Sequence, residues 1–162
     1  MKAIVAVYHT QDSDDWGIGA NGTQPIVLSA DRKFFRKTTT GCPVIVGYTT
    51  LLDFPNQAPL PHRKNFVLTR KNIIIPGADV VNDITSLQFD ELQDAFVIGG
   101  ASVYKQLLPY CDEVYVTHVY TDIAPDVFFP KLVNNSEWQS VTLETGEENG
   151  IEYKIEKFFK KE

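Results

Sequence analysis

The sequence predicts an α/β protein, with a sheet that is parallel in most of its crossovers and ends in an antiparallel hairpin. Two observations carry this. Short, continuous apolar runs recur at 3–8, 43–47, 65–70, 78–81, 95–98 and 114–119, separated by stretches with helical spacing. Runs of that kind suit strands covered on both faces. The last two segments, 137–144 and 151–159, instead alternate apolar with polar residues and lie close enough to pair across Gly146–Gly150.

In chain order, Ala3–Tyr8 is the first buried strand, and residues 9–25 change character to His, Asp, Gly and Pro. A loop that long inside a compact domain tends to be functional. Its glycines, in Trp16-Gly17-Ile18-Gly19-Ala20-Asn21-Gly22, permit close backbone approach to a ligand. Ser29 is a good N-cap for a helix in which Phe34, Phe35 and Thr38 recur at helical spacing, ending at Thr39-Thr40-Gly41. Pro43–Gly47 is the second strand, and Tyr48–Leu52 opens a short helix whose threonine-rich amides suit a phosphate. A proline-rich connection, 55–63, leads to the strand at Asn65–Arg70 and then to Ala78–Val81. Ser86–Asp94 reads weakly as a helix; Ala95–Ile98 is a strand followed by Gly99-Gly100 and a helix through Leu108. The pass yields about eight strands and about four helices, within the span of one domain, 1–162.

Bulk properties exclude several classes. A net charge of −6 argues against a general polyanion binder, so no nucleic acid is expected. No apolar run is long enough to span a bilayer, and no signal pattern opens the chain. Cys42 and Cys111 form neither a metal-ligand spacing nor a disulfide framework, which points to a reducing, cytoplasmic compartment. His9, His62 and His118 read as structural or exposed, and no metal is expected. The acidic cluster Asp12, Asp14, Asp15 reads as a solvated loop, and Lys160-Lys161-Glu162 as a solvated end.

One carboxylate stands out. Asp31 follows a proline turn, begins a helix and is flanked by aromatic and aliphatic residues. An acid among apolar neighbours is costly without a polar partner. The plain reading is a first-turn residue favoured by the helix dipole; the other is a ligand-binding acid. In open α/β sheets ligands bind beyond the carboxyl ends of strands. Ile18–Asn21, Gly47–Thr50, Thr69-Arg70 and Gly99–Ser102 all follow strands and are candidates to line a cleft beside Asp31.

Several ordered segments go further. They are Ile4-Val5-Ala6-Val7, Gly17–Gly22, Leu28-Ser29-Ala30-Asp31, Val44–Gly47, Pro59-Leu60-Pro61-His62-Arg63-Lys64-Asn65, Phe96–Tyr104, Tyr115-Val116-Thr117-His118 and Asp126–Pro130. Together they resemble the dihydrofolate reductase family over nearly the whole chain. The resemblance implies NADPH-dependent reduction of 7,8-dihydrofolate to tetrahydrofolate, with hydride to C6 and a proton to N5, in one-carbon metabolism. It implies that Asp31 hydrogen-bonds the pterin 2-amino group and N3, and that Thr117 braces Asp31. The carbonyls of Ile4 and Ile98 are expected at the pterin edge with Val5. Phe35, Phe54 and Leu60 are expected to pack on substrate, and Arg63 to clamp its glutamate carboxylate. For the cofactor it implies Ala6, Ile18, Gly19 and Ala20 at the nicotinamide end. Gly47, Tyr48, Thr49, Thr50, Gly99, Gly100, Ala101, Ser102, Val103 and Tyr104 are expected around the pyrophosphate, with Ile98 beside them. Leu68, Thr69 and Arg70 are expected at the adenosine 2′-phosphate. The family is commonly monomeric, so a monomer is expected.

The chain departs from the family pattern. Ile26 replaces a tryptophan that helps hold water near the acid, and it has no side-chain donor. Tyr48 stands where a basic residue is common, which leaves NADPH favoured over NADH by a narrower margin. Leu51 replaces a tryptophan after the helix-opening threonine. The alternatives are a same-fold reductase of another pterin or a pyrimidine, for which Arg63 has no use, and a non-catalytic binding homologue. Arg63 taken alone reads as a solvated loop cation, and Gly99-Gly100 as a turn.

Overall fold

A computed structural model of the chain describes residues 1–22 and 24–161. It is of the α/β class expected, with parallel strands, a C-terminal antiparallel pair and few helices. The chain forms two compact units: residues 1–3 with 37–111, and residues 4–36 with 112 onward. Strand β1 (Lys2–Thr10) contributes its first residues to one and the rest to the other.

In the first unit β3 (Val44–Gly47), β4 (Asn65–Leu68), β5 (Ala78–Val81) and β6 (Phe96–Gly99) lie in the order β5-β4-β3-β6. All of these neighbours are parallel, and Lys2 and Ala3 pair in parallel with Phe96 and Val97. Val44, Ile45, Val46, Val67 and Val97 are fully buried, as expected of strands covered on both faces. Helix α2 (Tyr48–Leu51) follows β3, and α3 (Ala101–Leu107) follows β6. Where the sequence weakly predicted a helix over 86–94, the chain makes two short 3-10 turns, Ile84–Ser86 and Phe89–Glu91. Asp83 caps the first by accepting from the Thr85 amide at 2.9 Å. Only Leu87 and Leu92 of that stretch are buried, too few to anchor a helical stripe.

In the second unit the order is β1-β7-β10-β9, with β7 (Glu113–Tyr120), β10 (Ile151–Lys160) and β9 (Trp138–Glu148). The predicted hairpin is present, but its strands are longer and its turn is only Asn149-Gly150. Both turn residues have positive φ, 52° and 81°, which suits Asn-Gly between strands of natural twist. Gly146 lies within β9 rather than in the turn, because the Tyr153 ring crosses it: a Cβ there would fall 2.6 Å from the Tyr153 hydroxyl.

The long loop expected at 9–25 is also shorter than its composition implies, and Thr23 lies outside the described residues. Residues 13–19 form β2 (Ser13–Gly19), antiparallel to β1 and to β8 (Val127–Phe129). Period and propensity hid this strand; Trp16, 2% exposed, anchors it against His118, Phe129 and Phe158. Gly17 is required because Pro125 packs on it, 2.2 Å from where a Cβ would sit. The end of the chain is tied rather than free: Lys160 N donates to the Asp112 carbonyl and Lys161 N to that of Glu137. Glu162 lies outside the described residues. Helix α1 (Ser29–Thr39) completes this unit and runs on into the first.

One polar side chain fixes the proline-rich connection of the first unit. Asn65, 2% exposed, accepts from Leu60 N at 3.0 Å and donates to the carbonyls of Leu60 and Arg63, both at 2.9 Å. Replacement by an isosteric apolar residue strips partners from three backbone groups, at about 1 kcal/mol or more each. Asn65→Leu is therefore expected to lower unfolding free energy by roughly 2–4 kcal/mol in urea titration; a loss below about 1 kcal/mol would show that the loop is held by something else.

Candidate functional site

In the second unit Asp31 lies in the first turn of α1 and meets the strand face of β7. Thr117, 1% exposed, donates its hydroxyl to Asp31 Oδ1 at 2.6 Å. Asp31 thus occupies the first turn of the helix, as the plain reading expects, and it has a buried polar partner within the protein. Burial raises the Asp31 carboxyl above the usual range, and the Thr117 hydrogen bond offsets part of that rise. Among the described residues the second Asp31 oxygen accepts no hydrogen bond, which leaves acceptor capacity on a half-buried carboxylate.

Two contacts hold the segment that delivers Asp31. The phenol of Tyr8, 1% exposed on β1, donates to the carbonyl of Ile26. Burial and then the Asp31 carboxylate push that phenol well above its ordinary value, so it stays protonated and a donor. Ile26 itself packs on the buried cluster of Ala6, Tyr8, Leu28 and Val119. At the helix start the Leu28 carbonyl accepts from Arg32 N, so Leu28 caps the helix and Ser29 is its first residue. The expectation that Ser29 is the N-cap is corrected accordingly. Its hydroxyl donates outward to Glu148, as do the amides of Ser29 and Ala30.

Among the other expected residues of this unit, Ile4, Val5 and Ala6 are buried in β1, while Ile18 and Gly19 end β2 and Ala20 follows, buried. Phe35 is half-buried on α1, four residues beyond Asp31 and therefore on the same helix face. His118, next to Thr117, lies in a closed network. His9 Nε2 and His118 Nδ1 are 2.8 Å apart, His118 Nε2 lies 2.8 Å from Glu156 Oε1, and Ser140 donates to Glu156 Oε2. Burial and the neighbouring His9 push His118 down to about 4, so the imidazole is neutral and its Nε2–H donates to the carboxylate. The histidines here are structural, as expected, and the described residues contain no cluster fit for a metal ion.

In the first unit the two glycine turns meet. A Cβ on Gly47 would lie 3.0 Å from Val103 Cγ2, and one on Gly100 would lie 2.9 Å from Thr50 Oγ1. The side chains of Val103 and Thr50 therefore pack closely against these two glycines, which have no Cβ to displace them. The Gly99-Gly100 peptide is cis, and Gly99 has φ 122°. Ala101 and Ser102 open α3 with Val103 and Tyr104 buried behind them. Phe54, Ile98 and Tyr48 pack on the buried cluster of Val46, Leu51 and Val67, where Leu51 fills core space. Leu68 ends β4, followed by Thr69 and Arg70. Asn82 holds this turn by donating to the carbonyls of Thr69 (2.7 Å) and Lys71 (3.1 Å), while the Lys71 amide donates to Thr69 Oγ1. The Lys71 ammonium lies 5.2 Å from the centre of the Tyr48 ring, a favourable cation–π separation. The aromatic residue at position 48 thus keeps a cation beside it. Arg63 is half-buried, with Nε donating to the Pro61 carbonyl and Nη1 to Thr39 Oγ1. It is a positioned guanidinium, not a freely solvated one.

A family model described as dihydrofolate reductase matches residues 3–160. The chain belongs to the dihydrofolate reductase family. Among similar proteins is the dihydrofolate reductase of Haemophilus influenzae, 38% identical over 127 residues, covering 75% of this chain and 76% of that protein. That of Bacillus subtilis is 33% identical over 150 residues, with 89% and 88% covered, and that of Staphylococcus haemolyticus 31% over 142 residues, with 84% of each.

In this dihydrofolate reductase family member, Tyr8, Glu148, Asn82 and Lys71 help hold the candidate site without standing out in the sequence as functional residues. Lys71 stood next to Arg70 and was visible as a second cation. Tyr8 and Glu148 gave no local signal, since their partners are 18 and about 120 positions away in sequence.

The raised Asp31 carboxyl carries a stability consequence. Below its unfolded value both states are protonated; as pH rises through the higher folded value, the folded protein gives up its proton at greater cost, and stability falls. Asp31→Asn removes that cost. The variant is expected to be more stable than wild type at pH 7 and equal to it near pH 3. Thermal melts at the two pH values check this, and a variant less stable at pH 7 would contradict it.

Proposed function

We propose that the protein catalyses NADPH-dependent reduction of 7,8-dihydrofolate to 5,6,7,8-tetrahydrofolate, feeding one-carbon metabolism. The observation that carries the reading is the buried pair of Asp31 and Thr117, joined at 2.6 Å within a chain of this family. The names of its relatives support the substrate. Residues 1–162 act as one catalytic domain, as a monomer in the cytoplasm.

In this reading Asp31 accepts from the 2-amino group and N3 of the pterin, a charge-assisted pairing of a planar carboxylate with a planar heterocycle. Thr117 occupies Asp31 Oδ1 and so sets the direction of the other oxygen. The raised carboxyl keeps a proton accessible nearer neutral pH than an ordinary aspartate does, which supports protonation at N5 through water. Ile4, Val5 and Ile98 border the pterin, Phe35, Phe54 and Leu60 cover the substrate, and Arg63 takes its α-carboxylate with a bidentate fork. Ile26 offers that water no side-chain donor, and its carbonyl is already engaged by Tyr8.

NADPH supplies the hydride when bound. The glycine turns after β3 and β6 support binding of its phosphates, because Gly47 and Gly100 leave the backbone there without side chains. Gly47, Tyr48, Thr49, Thr50 and Gly99–Tyr104 hold the pyrophosphate, and Ala6, Ile18, Gly19 and Ala20 the nicotinamide end. Leu68, Thr69 and Arg70 hold the adenosine side, with Lys71 on the Tyr48 ring adding a second cation for the 2′-phosphate. That cation restores a preference for NADPH over NADH.

Loss of reduced-nicotinamide absorbance on mixing purified protein, NADPH and dihydrofolate tests the activity directly; no loss would favour a non-catalytic homologue. Asp31→Asn is expected to lower kcat at neutral pH by about 100-fold or more, and near-wild-type rates would remove Asp31 from its role. Arg63→Leu should raise the KM for dihydrofolate about 30-fold or more with little change for a pterin lacking the glutamate tail; equal effects on both would point to another pterin substrate. Lys71→Ala should raise the KM for NADPH roughly fivefold or more and leave that for NADH unchanged. Equal changes for the two cofactors would exclude a 2′-phosphate contact.

A further inference from the structure

The helix that carries Asp31 begins with amides that its own sequence does not cap. Leu28 has no side-chain acceptor, and Ser29 lies inside the first turn with its hydroxyl turned outward. Both needs are met by one carboxylate from the far end of the chain. Glu148 Oε2 accepts from Ser29 N at 2.7 Å and from Ser29 Oγ at 3.0 Å, and Oε1 accepts from Ala30 N at 3.0 Å. The next residue is Asp31.

Glu148 is delivered to this place by the hairpin. It is the last residue of β9, immediately before the tight Asn149-Gly150 turn, and pairs with Ile151 across it. The hairpin end is itself braced, since the Tyr153 ring lies over Gly146 and its hydroxyl donates to Glu144 at 3.0 Å. A carboxylate at a helix N-terminus also gains from the helix dipole. The bond with the Ser29 amide first, and then those with the Ala30 amide and the Ser29 hydroxyl, with Lys33 nearby, hold the Glu148 carboxyl below the usual range against the opposing effect of desolvation.

We propose that Glu148 is a positioning residue for the reaction: its bidentate clamp on Ser29 and Ala30 sets the start of α1, and through it the orientation of Asp31 toward Thr117 and toward the pterin. Asp31 is thereby located from three sides. Thr117 on β7 holds its oxygen, Tyr8 on β1 holds the approach at Ile26, and Glu148 on β9 holds the helix start. Removing the clamp lets the first turn fray without touching the core, so the defect falls on substrate and not on cofactor.

This inference rests on the function proposed above, and the experiment separates the two. Wild type, Glu148→Ala, Glu148→Gln and Glu147→Gln are compared in steady-state turnover with NADPH and dihydrofolate, and in amide hydrogen exchange. Glu147 is exposed and makes none of these bonds, so its variant controls for loss of a charge. Glu148→Ala is expected to speed exchange at Ser29 and Ala30, and to lower kcat/KM for dihydrofolate, each by about tenfold. The KM for NADPH stays within about twofold. Glu148→Gln, which keeps one acceptor oxygen, falls between wild type and Glu148→Ala, and Glu147→Gln matches wild type. Unchanged exchange or unchanged kcat/KM in Glu148→Ala overturns the proposal. Equal losses in dihydrofolate and NADPH parameters do so as well, because they mark a general effect on the fold. A wild type that does not reduce dihydrofolate overturns the functional reading and the catalytic half of this one, while faster exchange in Glu148→Ala would still uphold the clamp.

Discussion

The second unit is organised around the cost of keeping a carboxylate out of water. Asp31 is removed from solvent far enough that its carboxyl is raised, and the Thr117 hydroxyl at 2.6 Å supplies partial compensation. That bond needs a threonine on the face of β7 that meets α1, the face it shares with the buried Val119 two residues on. It also needs α1 to start at a fixed place. A helix whose first turn was free to fray could not hold an acid within hydrogen-bond distance of a strand.

Three distant parts of the chain meet that need with different chemistry. Tyr8 uses a phenol kept protonated by burial, Glu148 uses an ionised carboxylate at a helix start, and Thr117 uses a neutral hydroxyl. The His9–His118–Glu156 network stands beside Thr117 as a fully paired structural element: neutral imidazoles bridge the strands, and the aromatic rings of Trp16 and Phe158 pack around His118. The first unit solves a different problem. There, the Val103 and Thr50 side chains pack tightly against the turns after β3 and β6, and Gly47 and Gly100 permit it by having no side chain to place.

The parts of the fold legible in sequence were those with a local signature. Continuous aliphatic runs marked β3, β4 and β6, and alternation marked β9 and β10, with their connection read as Gly146–Gly150 where the structure narrows it to Asn149-Gly150. The misses share a cause. Ser13–Gly19 carries glycines and aspartates that argue for a loop, yet pairing with β1 and β8 and the burial of Trp16 make it a strand. Residues 86–94 carry weak helical spacing, yet only two of their leucines find a core, so 3-10 turns result. Ser29 has the composition of a cap, but a better acceptor arrived from elsewhere.

By itself, the sequence determined the α/β class and most of the buried strands, through periodicity, and its ordered segments carried the resemblance to the dihydrofolate reductase family that pointed to Asp31 and Thr117. Both kinds of signal lie along the chain and need no knowledge of which distant residues meet. The tertiary structure alone decided what Asp31 meets and what holds it. The phenol on Ile26, the carboxylate on Ser29 and Ala30, and the ammonium of Lys71 over Tyr48 depend on side chains brought together by folding. Contacts between residues far apart in sequence leave no period to read, because either partner alone is an ordinary tyrosine, glutamate or lysine.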